Sequence, residues 1–389
     1  MSESDGIKAE VTGTDSAEWL EFATGVEVEK DEPLPGDSIT EPFDPTLIRV
    51  ETKPGTIDLL VSRMSHQEIE MAPDFQRKGG IWSDGAQSRL IESLLIRVPL
   101  PAFYMDATNE DKWIVVDGLQ RLTTLDRFII KKNLRLTGLE FLKDYKGRKF
   151  DELPRNFQRR ILETQVTVYL IERGTPAEVK FNIFKRINTG GLPLSAQEIR
   201  HALNQGQVTK FLSKLAGSQE FLLATDRGIR DDRMADRECV LRFLAFTIVP
   251  YTEYKAKDLD SFLNDCMAEI NRMPKVELDN LEAKFLQAMA LADAVFGKYA
   301  FRKMRSATGP RYPINKALFE SWSVNLSTLS GAEVSILSER KDLLRSRFIE
   351  LMNSDREFDE AVSQGTGDVR KVKRRFSAIA ALIRGVVSW

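Results

Sequence analysis

The spacing of hydrophobic positions changes about halfway along the chain. Up to about residue 190, stretches with helical spacing alternate with short apolar or alternating runs, such as "WIVV" and "QVTVYLIE", that predict buried strands. Beyond that point almost every apolar pattern has helical spacing. The pattern predicts an α+β protein in which an α/β N-terminal domain is followed by an all-helical domain.

The individual helices follow from the same spacing. In the first half, "SDGAQSRLIESLLIRVPLP" (83–101) predicts a helix that Ser83 or Asp84 caps and Pro99 ends. A further helix is predicted over "RLTTLDRFIIKKN", directly after the strand "WIVV". In the second half, helices are predicted over 195–204, 207–216, 233–249, 258–272, 276–299, 313–328, 332–353 and 368–387.

The first 45 residues differ from the rest in charge. They contain thirteen Asp or Glu and two Lys, a net charge of −11, whereas the whole chain has −2, so the remainder carries +9. With few large apolar residues, this stretch is expected to be a mostly disordered leader that is dispensable for folding. A basic body behind an acidic segment is compatible with a nucleic-acid or nucleotide partner, and a solubilising leader is the alternative.

Composition argues against several classes of protein. No segment approaches the roughly 18 uninterrupted apolar residues of a membrane span, and no signal-peptide pattern is visible, so a cytoplasmic protein without a membrane partner is expected. Cys239 and Cys266 are the two cysteines, too few for a disulfide framework. His66 and His201, predicted as surface or helix-cap residues, are too few for a Cys/His zinc site or a His-Asn-His nuclease.

The stretch "WIVVDGLQRLTTLDRFII" carries a candidate anion site. A strand that enters a helix through Gly118 leaves free N–H groups at the helix start, where phosphate is the usual ligand. Arg121 can add a charge-assisted contact. Asp117 could hold Mg²⁺ or a ribose hydroxyl or cap the helix, and Gln120 could orient a water or bind a base edge. The alternative is an ordinary capped helix with Arg121 in a surface ion pair.

Two further stretches combine amide and guanidinium groups. "APDFQRKGGIW" contains Gln76 and Arg77, and "FKRINTGGLPLSAQEIRHAL" contains Arg186 and Asn188 ahead of a Gly-Gly turn and a capping box. These groups could converge with the first stretch on one anionic ligand. Three separately solvated loops would give the same pattern.

The last predicted helix contains the densest basic run. It places Arg370, Lys371, Lys373, Arg374 and Arg375 within six residues, and such a run can contact DNA phosphates. Acidic residues shortly upstream could pair with it instead and leave an ordinary solvated helix face.

Four of these stretches together resemble a known family. "PDFQRKGGIW", "IESLLIRVPLPAFY", "VVDGLQRLTTL" and "IFKRINTGGLPLSAQEIRHAL" are similar, in order and spacing, to the N-terminal domain of GmrSD-type restriction enzymes and SspE-type phage-defence proteins, which has a ParB/sulfiredoxin-like fold. The expected organisation is a leader at 1–45, a ParB/sulfiredoxin-like nucleotide-binding domain at 46–205 and a helical domain at 206–389.

The resemblance implies nucleotide binding, and often NTP hydrolysis with Mg²⁺, at a "DGQQR"-like motif. Here the motif reads "DGLQR", with Leu119 where the family usually has glutamine, and this puts the hydrolysis rate and the choice of base in doubt. The implied nucleotide-binding residues are Gln76, Arg77, Asp117, Gly118, Gln120, Arg121, Arg186 and Asn188. The implied catalytic residues are Asp117, Gln120 and Arg121, with Asp117 also the metal ligand.

Proteins such as GmrSD and SspE continue into a His-Asn-His nuclease domain, which the histidine count excludes here. The sequence therefore favours a nucleotide-binding, NTP-hydrolysing sensor or regulatory subunit of a phage-defence or restriction-type system. Its expected partner is a separately encoded effector such as a nuclease. The alternative is a non-enzymatic DNA-binding adaptor with nucleotide as a ligand switch. The least favoured hypothesis is that the chain itself is a nuclease.

Overall fold

The structure is a computed structural model that describes residues 24–27, 29, 49–71, 82–187, 195–230, 233–255 and 258–388. Its internal contacts divide the chain into two units. One is Glu41–Leu203, and the other is Asn204–Trp389 together with Met1–Thr40. Within the described ranges no helix is both long enough and apolar enough to cross a membrane.

The first unit is built, in its described part, on a five-stranded mixed sheet. Its strands are β1 (Val50–Thr56), β2 (Ile69–Glu70), β3 (Phe103–Asp106), β4 (Trp113–Asp117) and β5 (Gln165–Ile171). The order is β1-β5-β3-β4-β2, and the pairs β1·β5 and β3·β4 are antiparallel whereas β3·β5 and β2·β4 are parallel. Strand β1 contains Pro54, which is tolerated because β1 lies at the edge of the sheet.

Helices pack on both faces of this sheet. They are α1 (Ile57–Ser65), α2 (Asp84–Leu95), α3 (Leu119–Leu125, continued by a π turn over Asp126–Ile130), α4 (Arg155–Leu162), α5 (Ala177–Ile187) and α6 (Ala196–Leu203). One face packs a core that includes Phe103 and Leu122. On the other face Val116 and Ile171 pack against apolar side chains of α5 and α6. Burial on both faces explains why the strand "WIVV" reads as a continuous apolar run.

Helix α2 begins where the sequence predicts but ends before Pro99. The Ser83 side chain caps its first turn. At the other end Arg97 adopts the left-handed conformation with φ of 67°, and the N–H of Val98 donates to the carbonyl of Ser93 at 2.8 Å. This is the hydrogen-bond pattern of a Schellman C-terminus. The prediction that Pro99 ends the helix was wrong, because the chain has already left the helix.

The second unit is helical. Its helices are α7 (Gln207–Ala216), α8 (Gln219–Ala224), α9 (Ala235–Ile248), α10 (Leu259–Ile270), α11 (Lys275–Phe296), α12 (Lys316–Ser327), α13 (Gly331–Glu339), α14 (Lys341–Ser354), α15 (Arg356–Ser363) and α16 (Val369–Val387). They enclose one large apolar core that is rich in aromatic rings, among them Phe243, Phe285 and Trp322. The single helix predicted over 332–353 is the pair α13 and α14, which meet at Arg340.

Part of the predicted acidic leader packs on this helical unit. We call the described residues Thr24–Glu27 and Glu29 the strap. Val26 is 2% exposed and forms a parallel β-bridge with Ile314. The carboxylate of Glu29 forms an ion pair with Arg242. These contacts do not support the expectation that the whole of residues 1–45 is dispensable for folding.

A network of buried charges crosses the core of the helical unit. Arg375 and Glu320 are both fully buried and form an ion pair. Arg242, which is 2% exposed, lies 3.5 Å from Glu320 and 2.9 Å from Glu238. Removal of one partner from such a network strands a buried charge, which is strongly destabilising.

We expect Glu320→Gln to lower the free energy of unfolding by about 3 kcal/mol, because it strands positive charge on Arg375 and Arg242. Chemical denaturation followed by circular dichroism measures this change. The control is Asp279→Asn, which removes the partner of Lys275 in an exposed pair and should alter stability by less than about 0.5 kcal/mol. Equal stability of Glu320→Gln and wild type would show that the network does not support the fold.

We also expect acid to weaken the docking of the strap. Burial raises the pKa of Glu29, but Arg242 and Lys316 outweigh burial and lower it from 4.5 to about 2. Because the folded-state pKa is depressed, the stabilisation of about 3 kcal/mol is complete above about pH 4.5 and is lost as the pH falls towards 2. Thermal unfolding between about pH 6 and about pH 3 should therefore show a shallower fall for Glu29→Gln than for wild type. Parallel profiles would contradict this assignment.

Candidate functional site

The residues of the "DGLQR" motif lie where β4 passes into α3. The pairing of β3 with β4 shifts between Met105–Val115 and Tyr104–Asp117, which leaves an extra residue of β4 in a bulge. Bulges re-aim side chains at the ends of strands. Here the carboxylate of Asp117 meets the guanidinium of Arg121 at 2.7 Å, one turn into the following helix.

Gly118 occupies a position that only glycine fits. Its φ is 102°, in the left-handed region. A Cβ added here would lie 2.5 Å from Cδ1 of Phe103 and 3.3 Å from Nη2 of Arg121. The glycine therefore allows both the turn and the close approach of the start of α3 to β3.

The guanidinium of Arg121 is enclosed by protein. The residue is 8% exposed, and its Nη1 donates to the carbonyl of Pro101. Its Nη2 donates to the carbonyl of Ala102 at 3.1 Å and to the Asp117 carboxylate at 2.7 Å. The group also lies over the ring of Phe103, 4.6 Å from the ring centre. Burial lowers the pKa of Arg121, and Asp117 opposes this change. Arg121 thus ties the end of β4 to the segment that enters β3.

The first turn of α3 leaves backbone donors open. The N–H of Leu122 donates to the carbonyl of Gly118 at 2.9 Å and forms the first hydrogen bond inside the helix. The N–H groups of residues 119–121 form no hydrogen bond with the part of the chain that the structure describes. The side chain of Gln120 accepts a hydrogen bond from the N–H of Trp82 at 3.2 Å through Oε1, so its Nε2 is the end that can serve a ligand.

Asp117 is the accessible charged group of this junction. Its side chain is 30% exposed, against 10% for Arg121. Oδ2 accepts the bond from Arg121, which leaves Oδ1 for a metal ion or a ribose hydroxyl. The described ranges contain no cluster of three His, Cys, Asp or Glu side chains that could hold a metal by themselves. A single carboxylate oxygen can bind Mg²⁺ only when phosphate and water oxygens supply the remaining ligands, which is the usual coordination of this ion in proteins.

Leu119, where the family motif usually has glutamine, is partly buried and packs against the core of the first unit. An apolar side chain suits this position because it removes further surface from water.

Several predicted ligand residues lie outside the part of the chain that the structure describes. Gln76, Arg77 and Asn188 lie outside the described residues. Arg186 belongs to α5, but its side chain is also outside the description. Convergence of these groups on the ligand of Asp117 stays a prediction.

Helix α6 opens with the predicted capping box. The N–H of Glu198 donates to Oγ of Ser195 at 3.1 Å, and the N–H of Ser195 donates to the Glu198 carboxylate at 2.5 Å. His201 on the same helix is 4% exposed, so its prediction as a surface or cap residue was wrong. His66 does cap α1 and is exposed, as predicted.

A buried ion pair that the sequence reasoning missed lies at the other end of β3. Lys180 of α5 donates to the Asp106 carboxylate at 2.9 Å and to the hydroxyl of Thr108. Lys180 is 9% exposed and Asp106 is 6% exposed. The pair anchors α5 to the sheet. A signal was present, since Lys180 lies four residues before Phe184 and therefore on the apolar face of its helix.

The basic run of α16 is divided between the core and the surface. Arg375 points into the core, and Arg374 forms an ion pair with Asp355. Arg370 and Lys373 are exposed. The five basic residues, Lys371 among them, therefore do not form one exposed cationic face. Their positions do not allow all five to contact DNA together.

Part of the chain matches the model of a known protein family. Residues 60–204 match the model of the GmrSD restriction endonuclease N-terminal domain. The match includes the whole junction from β4 to α3. No curated protein matches the chain. Residues 60–204 are therefore similar to the N-terminal domain of GmrSD restriction endonucleases.

Proposed function

We propose that the junction at residues 117–121 binds a nucleoside triphosphate together with Mg²⁺ and that the protein hydrolyses it. The protein would act as a sensor or regulatory subunit of a phage-defence or restriction-type system, with a separate effector such as a nuclease. One observation carries the proposal: within a GmrSD-type domain, the open N–H groups of a helix start lie beside a partly exposed carboxylate.

Each group at the junction has a distinct task in this proposal. The N–H groups of residues 119–121 bind phosphate oxygens, and the helix dipole favours the same anion. The Oδ1 atom of Asp117 holds the magnesium ion or a ribose hydroxyl. The amide of Gln120 orients the attacking water through Nε2, as amide side chains do in other phosphoryl-transfer sites. The bound metal would neutralise charge on the transferred phosphoryl group.

Arg121 acts through Asp117 in this arrangement. Its guanidinium is already bonded to two backbone carbonyls and to the carboxylate, so it fixes the direction of Asp117. The position of Arg121 in the first turn of the helix predicted that its side chain contacts phosphate directly. Its enclosure favours the positioning role instead.

The second candidate function is a DNA-binding adaptor in which nucleotide acts as a switch and is not consumed. The uneven charge favours this candidate, since the chain beyond residue 45 carries +9. Phosphate release by the purified protein, with and without DNA, separates the two candidates.

We expect Asp117→Asn to weaken binding of the magnesium–NTP complex at least tenfold, or about 1.4 kcal/mol, because the variant loses the anionic ligand of the metal. Calorimetry with each of the four NTPs, with magnesium and with a chelator, measures this. The chelator should remove most of the difference between variant and wild type. Asp111→Asn, in an exposed turn, is the matched control and should bind like wild type. Failure of wild type to bind any NTP would refute the site.

We expect Gln120→Ala to lower kcat for phosphate release at least tenfold and to change NTP affinity by less than about threefold, because the amide acts on water in the transition state. Steady-state phosphate release and calorimetry give the two values. Gln165→Ala, at an exposed position of β5, is the control. If wild type binds NTP but releases no phosphate, the ligand-switch candidate replaces the NTPase.

A further inference from the structure

The two carboxylates of the strap are held in the same way. Each accepts hydrogen bonds from one cationic and one neutral side chain of the helical unit. The donors are Lys303 (2.6 Å) and Asn315 (3.1 Å) for Glu27, and Arg242 (2.8 Å) and Thr366 (2.5 Å) for Glu29. Arg242 contacts both oxygens of Glu29 as a fork. Forked and charge-assisted bonds of this kind recognise phosphate as well as carboxylate.

The four donors are distant in sequence and are brought together by the fold of the helical unit. Arg242 lies in α9, Asn315 caps α12, Thr366 precedes α16, and Lys303 lies between α11 and α12. We call these four side chains the strap groove. Arginine, lysine, asparagine and threonine are side chains that proteins use to contact the phosphates of nucleic acids. The four side chains of the groove therefore have the chemistry to bind anionic oxygen atoms.

Removal of the strap would leave the groove with positive charge. Around Glu29 the network contains three cations and two other carboxylates, so the loss of Glu29 strands one positive charge. The members are Arg242, Lys316 and Arg375, and Glu238 and Glu320. The loss of Glu27 likewise removes the carboxylate that pairs with Lys303. A stranded cation in this environment favours a replacement anion.

The distribution of charge along the whole chain agrees with this local balance, since residues 1–45 carry a net charge of −11 and the remainder carries +9.

We propose that the strap groove is a nucleic-acid phosphate-binding surface that the chain's own acidic segment covers. The strap is then an autoinhibitory mimic of the ligand, and nucleic acid and strap compete for the same donors. This inference does not depend on nucleotide binding at residues 117–121.

The test compares full-length variants by fluorescence anisotropy with a labelled DNA duplex. Glu27→Gln with Glu29→Gln should raise DNA affinity at least tenfold over wild type and steepen its dependence on salt between about 50 and about 200 mM, because the uncovered groove displaces counterions from DNA. The matched control is Glu277→Gln with Glu339→Gln, which removes the same charge from exposed positions of the helical unit. It should gain less than about threefold.

Addition of Lys303→Gln to the Glu27/Glu29 variant should reverse most of the gain, since it removes one of the uncovered donors. A Glu27/Glu29 variant that binds DNA no better than the control would overturn the proposal. So would a gain in affinity that survives the loss of Lys303.

A second measurement needs no substitution. The N–H of Glu27 donates to the carbonyl of Ile314 at 2.8 Å, so its hydrogen exchange reports whether the strap is docked. In wild-type protein at low salt, a saturating concentration of the duplex should speed exchange at residues 24–27 and 29. Unchanged or slower exchange under saturation would show that DNA and strap do not compete, and the strap would then be a permanent part of the helical unit.

Discussion

Buried guanidinium groups organise both units of this protein, because each one needs hydrogen-bond acceptors around it. A guanidinium remains charged in a folded protein, so burial forces the surrounding chain to supply acceptors. In the first unit Arg121 collects two carbonyls and the Asp117 carboxylate, and so fixes the junction of strand and helix. In the helical unit Arg375 and Arg242 collect Glu320, Glu238 and, from the strap, Glu29.

The buried guanidinium groups of the two units have different consequences for the structure. Around Arg121 every acceptor is nearby in the first unit, and the contacts fix the Asp117 carboxylate beside the open N–H groups at the start of α3. Around Arg242 one acceptor, Glu29, lies more than two hundred residues away in sequence, within the most acidic part of the chain. That contact makes the packing of the helical core depend on where the N-terminal segment lies.

The GmrSD-type domain and the helical unit therefore suggest separate tasks for the two parts of the chain. The first offers open N–H groups at the start of α3 beside the partly exposed carboxylate of Asp117. The second offers a set of cationic and neutral donors that already bind carboxylates.

Local patterns in the sequence determined the α/β and helical halves, most of the helices, the capping box of α6 and the glycine turn after β4, because these depend on spacing and backbone preferences within a few residues. β1 was not predicted from the sequence, because it contains Pro54, which is tolerated only since the strand lies at the sheet edge. The end of α2 at Arg97, the burial of Arg121 and Arg375, the Lys180–Asp106 pair and the docking of the strap were decided by the tertiary structure. Each depends on which distant groups come within hydrogen-bonding distance, and the energy of a charged side chain is set by those partners and not by its neighbours in sequence.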